Sequence, residues 1–153
     1  MNKPNSGIID DVLVTPQKII DVPGGDIYHI MKKSGPGCVG FGEAYFSSIK
    51  YNVVKAWKRH RQMTLNLVVP HGCVRFVIFD DRPGSRSNGI FQIETLSMRN
   101  YHRLTIPPRL WVGFQGIDTG ASLLLNIADI EHDNGEVDRK KLENFEFDWE
   151  KIS

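Results

Sequence analysis

The stretch VKAWKRH, residues 54–60, gathers Lys55, Lys58, Arg59 and His60 within one short apolar-flanked run. An imidazole titrates near neutral pH, which suits His60 to taking and returning a proton. Lysine and arginine suit the recognition of anions, phosphate above all. Upstream, GEAYFSS (42–48) carries Glu43 and Tyr45 two residues apart, and downstream Asn66, Arg75, Asn126 and Asp129 interrupt otherwise hydrophobic runs. Trp111 follows the rigid pair Pro107–Pro108 in RLTIPPRLWVGFQG (103–116). Long polar side chains inside strand-like runs mark either a solvated face or a polar pocket. Their recurrence in several runs predicts a pocket.

Positioning such residues requires strands. KIIDVPGGDIYHIMK (18–32) reads as two strand-like pieces around Pro23, Gly24 and Gly25, which have hairpin chemistry. GEAYFSSI, NVVKAWKRH, TLNLVVPHG, CVRFVIFDD, GIFQIETLS, YHRLTI, LWVGFQG and ASLLLNIAD follow between turn-forming segments such as RPGSRSNG (82–89). Roughly eight to ten short runs at 8–12-residue spacing predict an all-β sandwich or barrel rather than βαβ units. Period-two alternation puts Lys55, Trp57 and Arg59 on one strand face and Ala56, Lys58 and His60 on the other. Glu43, Tyr45 and Ser47 likewise share a face. The C-terminal stretch from residue 132 is polar and charged, with one or two helical turns expected near 136–144. With no linker or internal repeat, residues 1–153 read as a single domain.

Composition excludes several classes. Lys plus Arg number 19 against 18 Asp plus Glu, a net charge of +1, so no global field draws the chain to nucleic acid or a membrane. No apolar run approaches the roughly 20 residues of a membrane span. The start, MNKPNSGIIDDV, lacks a basic-then-apolar leader pattern. Cys38 and Cys73 make neither a disulfide framework nor metal-ligand spacing, and a reduced cytoplasmic location is expected. EHDNGEVD (131–138) lacks the ligand spacing of an EF-hand and reads as a solvated loop.

The run VVKAWKRHRQMTLNLVVPHGCVRFVIFDDR, followed by YHRLTIPPRLWVGFQG, resembles the dTDP-4-dehydrorhamnose 3,5-epimerase family of cupin-fold proteins. In that family a segment close to V-x-R-G-L-H-x-Q precedes two paired strands, and a later strand ends in I-P-P-G-F-x-H-G-F. Ile106, Pro107, Pro108, Gly113 and Phe114 match the second motif, and the resemblance spans roughly residues 40 to 130. It implies a cupin-type jelly-roll sandwich, a homodimer, and action on a nucleotide-diphosphate sugar in surface polysaccharide (O-antigen or capsule) biosynthesis.

The resemblance also exposes substitutions. The family's histidine base falls at Lys58, its tyrosine acid just after Asp129 at Ile130, the histidine of its double-proline turn at Val112, and its phosphate-binding arginine at Lys55. His60 matches the second histidine of R-G-x-H-x-H in nucleotide-sugar 3,4-ketoisomerases, where it shuttles a proton. The expected catalytic groups are therefore His60, Lys58 and Tyr45, with Lys58 stabilising a developing enolate. Glu43, Lys55, Arg59, Asn66, Arg75, Trp111, Asn126 and Asp129 are the expected substrate contacts. The positions of cupin metal ligands offer Lys58, His60, Met63 or Thr64, and Val112, so neither metal nor cofactor is expected. Three readings stay open: an epimerase, a 3,4-ketoisomerase using His60, and an inactive cupin that binds a nucleotide sugar.

Overall fold

Strand runs with one apolar face can only bury it against another sheet, and the chain does this with two five-stranded layers. The computed structural model describes residues 5–150; residues 1–4, part of the stretch read above for a leader, and 151–153 lie outside the described residues. The first sheet orders β1 (Leu13–Pro16), β9 (His102–Ile106), β6 (Leu65–His71), β11 (Ser122–Ala128) and β4 (Glu43–Ile49). The second orders β12 (Val137–Arg139), β5 (Val54–His60), β10 (Trp111–Gly116), β7 (Cys73–Phe79) and β8 (Phe91–Ser97). Neighbours in both are antiparallel, so the expected all-β jelly-roll sandwich is the fold. A separate hairpin pairs β2 (Ile19–Ile20) with β3 (Ile27–Tyr28) around the Pro23–Gly24–Gly25 turn. Among the described residues no helix is long and apolar enough to cross a membrane.

Alternation decides which side chains meet between the layers. Leu65, Leu67, Leu104, Ile106 and Leu124 of the first sheet pack against Val74, Phe76, Ile78 and Val112 of the second. Trp57, Val77, Phe91 and Trp111 form a second apolar cluster with Phe147 and Trp149 of the C-terminal segment. The helical turns expected near 136–144 form as the short 3-10 turns Asn134–Glu136 and Leu142–Asn144, and between them lies a strand that was not expected, β12. The alternating apolar residues Phe145, Phe147 and Trp149 explain why that segment stays on the protein. Aromatic side chains each bury on the order of 150–250 Å².

The double proline carries the chain from β9 in one sheet to β10 in the other. Its prolines fix φ and donate no hydrogen bond. Arg109 then adopts a left-handed φ of 72°, and its N–H donates to the His60 carbonyl at 2.7 Å. The turn thus pins the end of β5, the strand that carries His60.

A buried carboxylate organises the loop after β7. Asp80 is fully buried and accepts from the Arg82 amide and guanidinium and from the Ser85 and Ser87 hydroxyls, at 2.6–2.9 Å. Burial pushes its carboxyl up, but these bonds outweigh it and hold the group well below the usual carboxylate range. A carboxyl depressed on folding stabilises above its unfolded-state pKa, and that contribution is lost as pH falls toward the folded value. Stability should therefore decline progressively as pH drops below about 5. Asp80→Asn should cost about 2–4 kcal/mol at neutral pH, because it removes the buried charge and sets an amide donor against the donors of Arg82, Ser85 and Ser87. Urea titrations of both proteins across pH 3–7 check this; equal stability at pH 7 would remove Asp80 from the account.

Candidate active site

A cavity of about 640 Å³ opens between the two sheets. Its floor is apolar, built from Leu65, Leu67, Phe76, Val112, Phe114 and Leu124. Glu43, Tyr45, Ser47 and Asn126 line one wall from the first sheet, and Lys55, Lys58, His60 and Arg139 line the other, while the Lys140 ammonium lies 4.8 Å over the Trp111 and Phe145 rings of the second apolar cluster. His132 reaches the same cavity from the loop between β11 and β12. Among the described residues no three His, Cys, Asp or Glu side chains come together as a metal-holding group.

Strict alternation would separate Lys55 from Lys58, and here the structure departs from expectation. Val112 pairs with Lys58 and Phe114 with Lys55, so one residue of β10, Gly113, faces two of β5, Ala56 and Trp57. This bulge shifts the register, and Lys55 and Lys58 both join His60 along the cavity. Trp57 turns outward, its indole donating to the Leu142 carbonyl at 3.3 Å. Gly113 is required there, since a Cβ would lie 2.6 Å from that of Ala56 and 3.0 Å from the Trp149 ring.

Strand β12 completes the wall. It pairs Val137 with His60, Asp138 with Arg59 and Arg139 with Lys58. Glu136, just before it, is buried, and one carboxylate oxygen accepts from the amides of Arg61, Gln62 and Met63 at 3.1–3.3 Å. Its other oxygen bonds His60 Nδ1. Burial raises the Glu136 carboxyl, but His60 and these amides together hold it below the usual carboxylate range. An ionised Glu136 accepts, so Nδ1 carries the proton and Nε2 keeps a free lone pair. That is the tautomer a general base needs.

On the facing wall, Asn126 donates to Tyr45 Oη at 3.2 Å while its carbonyl accepts the Asn66 amide. A Tyr45 oxygen that already accepts has its own proton free to donate. Lys55 Nζ bonds the Ser48 carbonyl at 2.9 Å at the rim.

The cavity therefore gathers His60, Lys58, Tyr45, Glu43, Lys55 and Asn126 of the expected residues. Five others lie outside its lining. Arg59 turns to Asp138 and Asp81 and sits over the Trp111 ring, whose indole also bonds Asp81. Asn66 donates to the Gly37 carbonyl, Arg75 to Gln115, and Asp129 accepts the Thr64 amide. Arg139, His132 and Glu136 join the site without having been singled out. Their run reads as a solvated tail, and only the lone apolar Val137 among charges hinted that a strand docks there.

Desolvation by the cavity wall, followed by the charges of Arg139 and Lys55, lowers the Lys58 ammonium from the ordinary lysine range. Removing a neighbouring cation should raise it again. NMR titration of the Lys58 ε-ammonium should show Arg139→Ala moving it up further than Lys55→Ala does. An unmoved Lys58 in both variants would mean the cations are not electrostatically coupled.

No family model matches this chain. It is 30% identical over 100 residues to a probable low-salt glycan biosynthesis epimerase, Agl13, of Haloferax volcanii, a match covering 65% of this chain and 64% of that protein. It superimposes on dTDP-4-dehydrorhamnose 3,5-epimerase from Elizabethkingia anophelis NUHP1 with a TM-score of 0.81 at 16% identity, covering 97% of this chain and 85% of the other, a likeness of fold. A dTDP sugar isomerase from Desulfovibrio desulfuricans G20 matches with a TM-score of 0.89 and 34% identity over 95% of this chain and 94% of its own. On that near end-to-end match the chain belongs to the dTDP-4-dehydrorhamnose 3,5-epimerase-like family of cupin-fold nucleotide-sugar epimerases and isomerases.

Proposed function

We propose that the protein is an epimerase or isomerase of a nucleoside-diphosphate-linked 4-keto-6-deoxy sugar, acting in surface glycan biosynthesis. The observation that carries this reading is the Glu136–His60 pair, opening onto a cavity with three cationic side chains, Lys55, Lys58 and Arg139, along one wall. The cations suit a diphosphate, which Lys and Arg recognise by charge-assisted hydrogen bonds. The volume of about 640 Å³ falls in the range of small-molecule sites.

The first chemical step is the same for epimerisation and for 3,4-ketoisomerisation. His60 Nε2 takes the proton from the carbon beside the C4 ketone, and the electron pair moves to O4 as an enolate. Lys58, as the ammonium, stabilises the oxyanion, and Glu136 stabilises the imidazolium that forms. Epimerisation then needs a proton delivered from the opposite face, and Tyr45 on the facing wall suits that role. Ketoisomerisation instead moves the O3 proton to O4 and returns a proton to C4, leaving the ketone at C3. The relative named as a dTDP sugar isomerase points to a dTDP-linked substrate.

We further propose that the working form is a homodimer. Strand β4 is a sheet edge, with Phe46 61% exposed on it and Phe41 72% exposed just before it. An uncovered apolar edge is a liability that a second copy removes. Light scattering at micromolar concentration should give twice the mass of the chain, 17.4 kDa; a monomer at that concentration would overturn this assignment.

Incubation with dTDP-, GDP- and CDP-linked 4-keto sugars in D₂O separates the reactions. Deuterium at C5, or at C3 with inversion of configuration, marks epimerisation, and at C4 it marks ketoisomerisation. His60→Asn should slow wash-in on the order of 10²–10⁴-fold while nucleotide affinity changes little. Exchange at an unchanged rate in that variant would place the base elsewhere. No exchange by the wild type with any sugar, despite nucleotide binding, would leave a binding protein without turnover.

A further inference from the structure

We propose that a second cavity, on the outer face of the first sheet and walled by Arg103, Lys18, Lys32 and His29, binds a small oxyanion. It measures about 320 Å³ and shares no lining residue with the cavity between the sheets. Leu104 and Ile106 of β9 point into the core, so Arg103 between His102 and Leu104 points the other way, beneath residues 29–36. The β2–β3 hairpin brings Lys18 beside His29, whose amide donates to the Lys18 carbonyl at 2.9 Å. No Asp or Glu lines the cavity.

Arg103 is the unusual member. It is only 2% exposed, yet no salt bridge joins it to a carboxylate among the described residues. Its guanidinium donates to the carbonyls of Ile30, at 2.8 Å, and Pro36, while Nε has no hydrogen-bond partner. A buried cation without a counter-charge is costly. Burial accordingly lowers the Arg103 pKa, and Cys38 opposes it to a lesser degree. An anion in the cavity supplies the missing charge where solvent screening is weak. Lys18 and Lys32, both exposed, then hold it from the mouth. Pro16, Ile20 and Met31 give the rest of the wall an apolar character, so a phosphate or carboxylate on a short carbon skeleton fits.

The test is an amide NMR titration at constant ionic strength, with inorganic phosphate in one arm, acetate in a second and chloride as the reference. Saturable shifts confined to residues 17–36 and 103, with either oxyanion and not with chloride, are expected. The tighter of the two identifies the anion's kind. Arg103→Met can fail to fold, so the deciding variant is Lys18→Ala with Lys32→Ala, which changes exposed side chains only. It should weaken binding about tenfold, the loss of charge-assisted bonds. The proposal is overturned by shifts that never saturate, by shifts confined to residues near Lys55, Lys58 and Arg139, or by full affinity in the double variant.

Discussion

The buried carboxylate of Glu136 is the interaction on which the site depends. A carboxylate taken out of water must find donors, and this one finds the three amides that close the end of β5 together with the imbalanced nitrogen pair of His60. That single anchor sets the register of β12, because Val137 then falls opposite His60 and Arg139 opposite Lys58. It also directs the chain beyond β12 across the outer face of the second sheet. There Lys140 exchanges backbone bonds with Trp57, and Phe145, Phe147 and Trp149 cover the aromatic cluster. The placement of His60 and the packing of the tail are thus one event.

The cavity wall is electrostatically expensive. Lys55, Lys58 and Arg139 converge there, with Glu43 as the one carboxylate of the lining among the described residues. Like charges held together at a partly desolvated surface oppose folding, and the lowered ammonium of Lys58 is the trace of that opposition. A fold keeps such an arrangement when a ligand of opposite charge relieves it. Three arginines outside that cavity are neutralised by carboxylates. Arg59 and Arg61 share Asp138, and Arg82 bridges Asp11 and Asp80.

The double-proline turn has an analogous double use. It moves the chain between sheets, and through the amide of Arg109 it fixes the carbonyl of His60. The side chain of His60 is then held by Glu136 and its main chain by the turn. Neither contact involves a neighbour in sequence.

The amino-acid sequence by itself determined the layers. Alternation in TLNLVVPHG, CVRFVIFDD and ASLLLNIAD is a local property of the pleat, so strand after strand could be read from apolar spacing and turn residues. It also determined that Lys58 and His60 share a face, and that Glu43 and Tyr45 do. The tertiary structure alone decided the rest. Lys55 joins them because a bulge against Gly113 shifts the register, which depends on the partner strand and the packing of Trp149. Arg59 and Trp111 leave because Asp81, on a loop distant in sequence, captures both. Arg139 arrives because the charged stretch before and within β12 docks through one buried carboxylate, on partners more than 70 residues away. Local periodicity reports which way a side chain leaves its own strand; what meets it there is fixed by contacts between segments that no local pattern records.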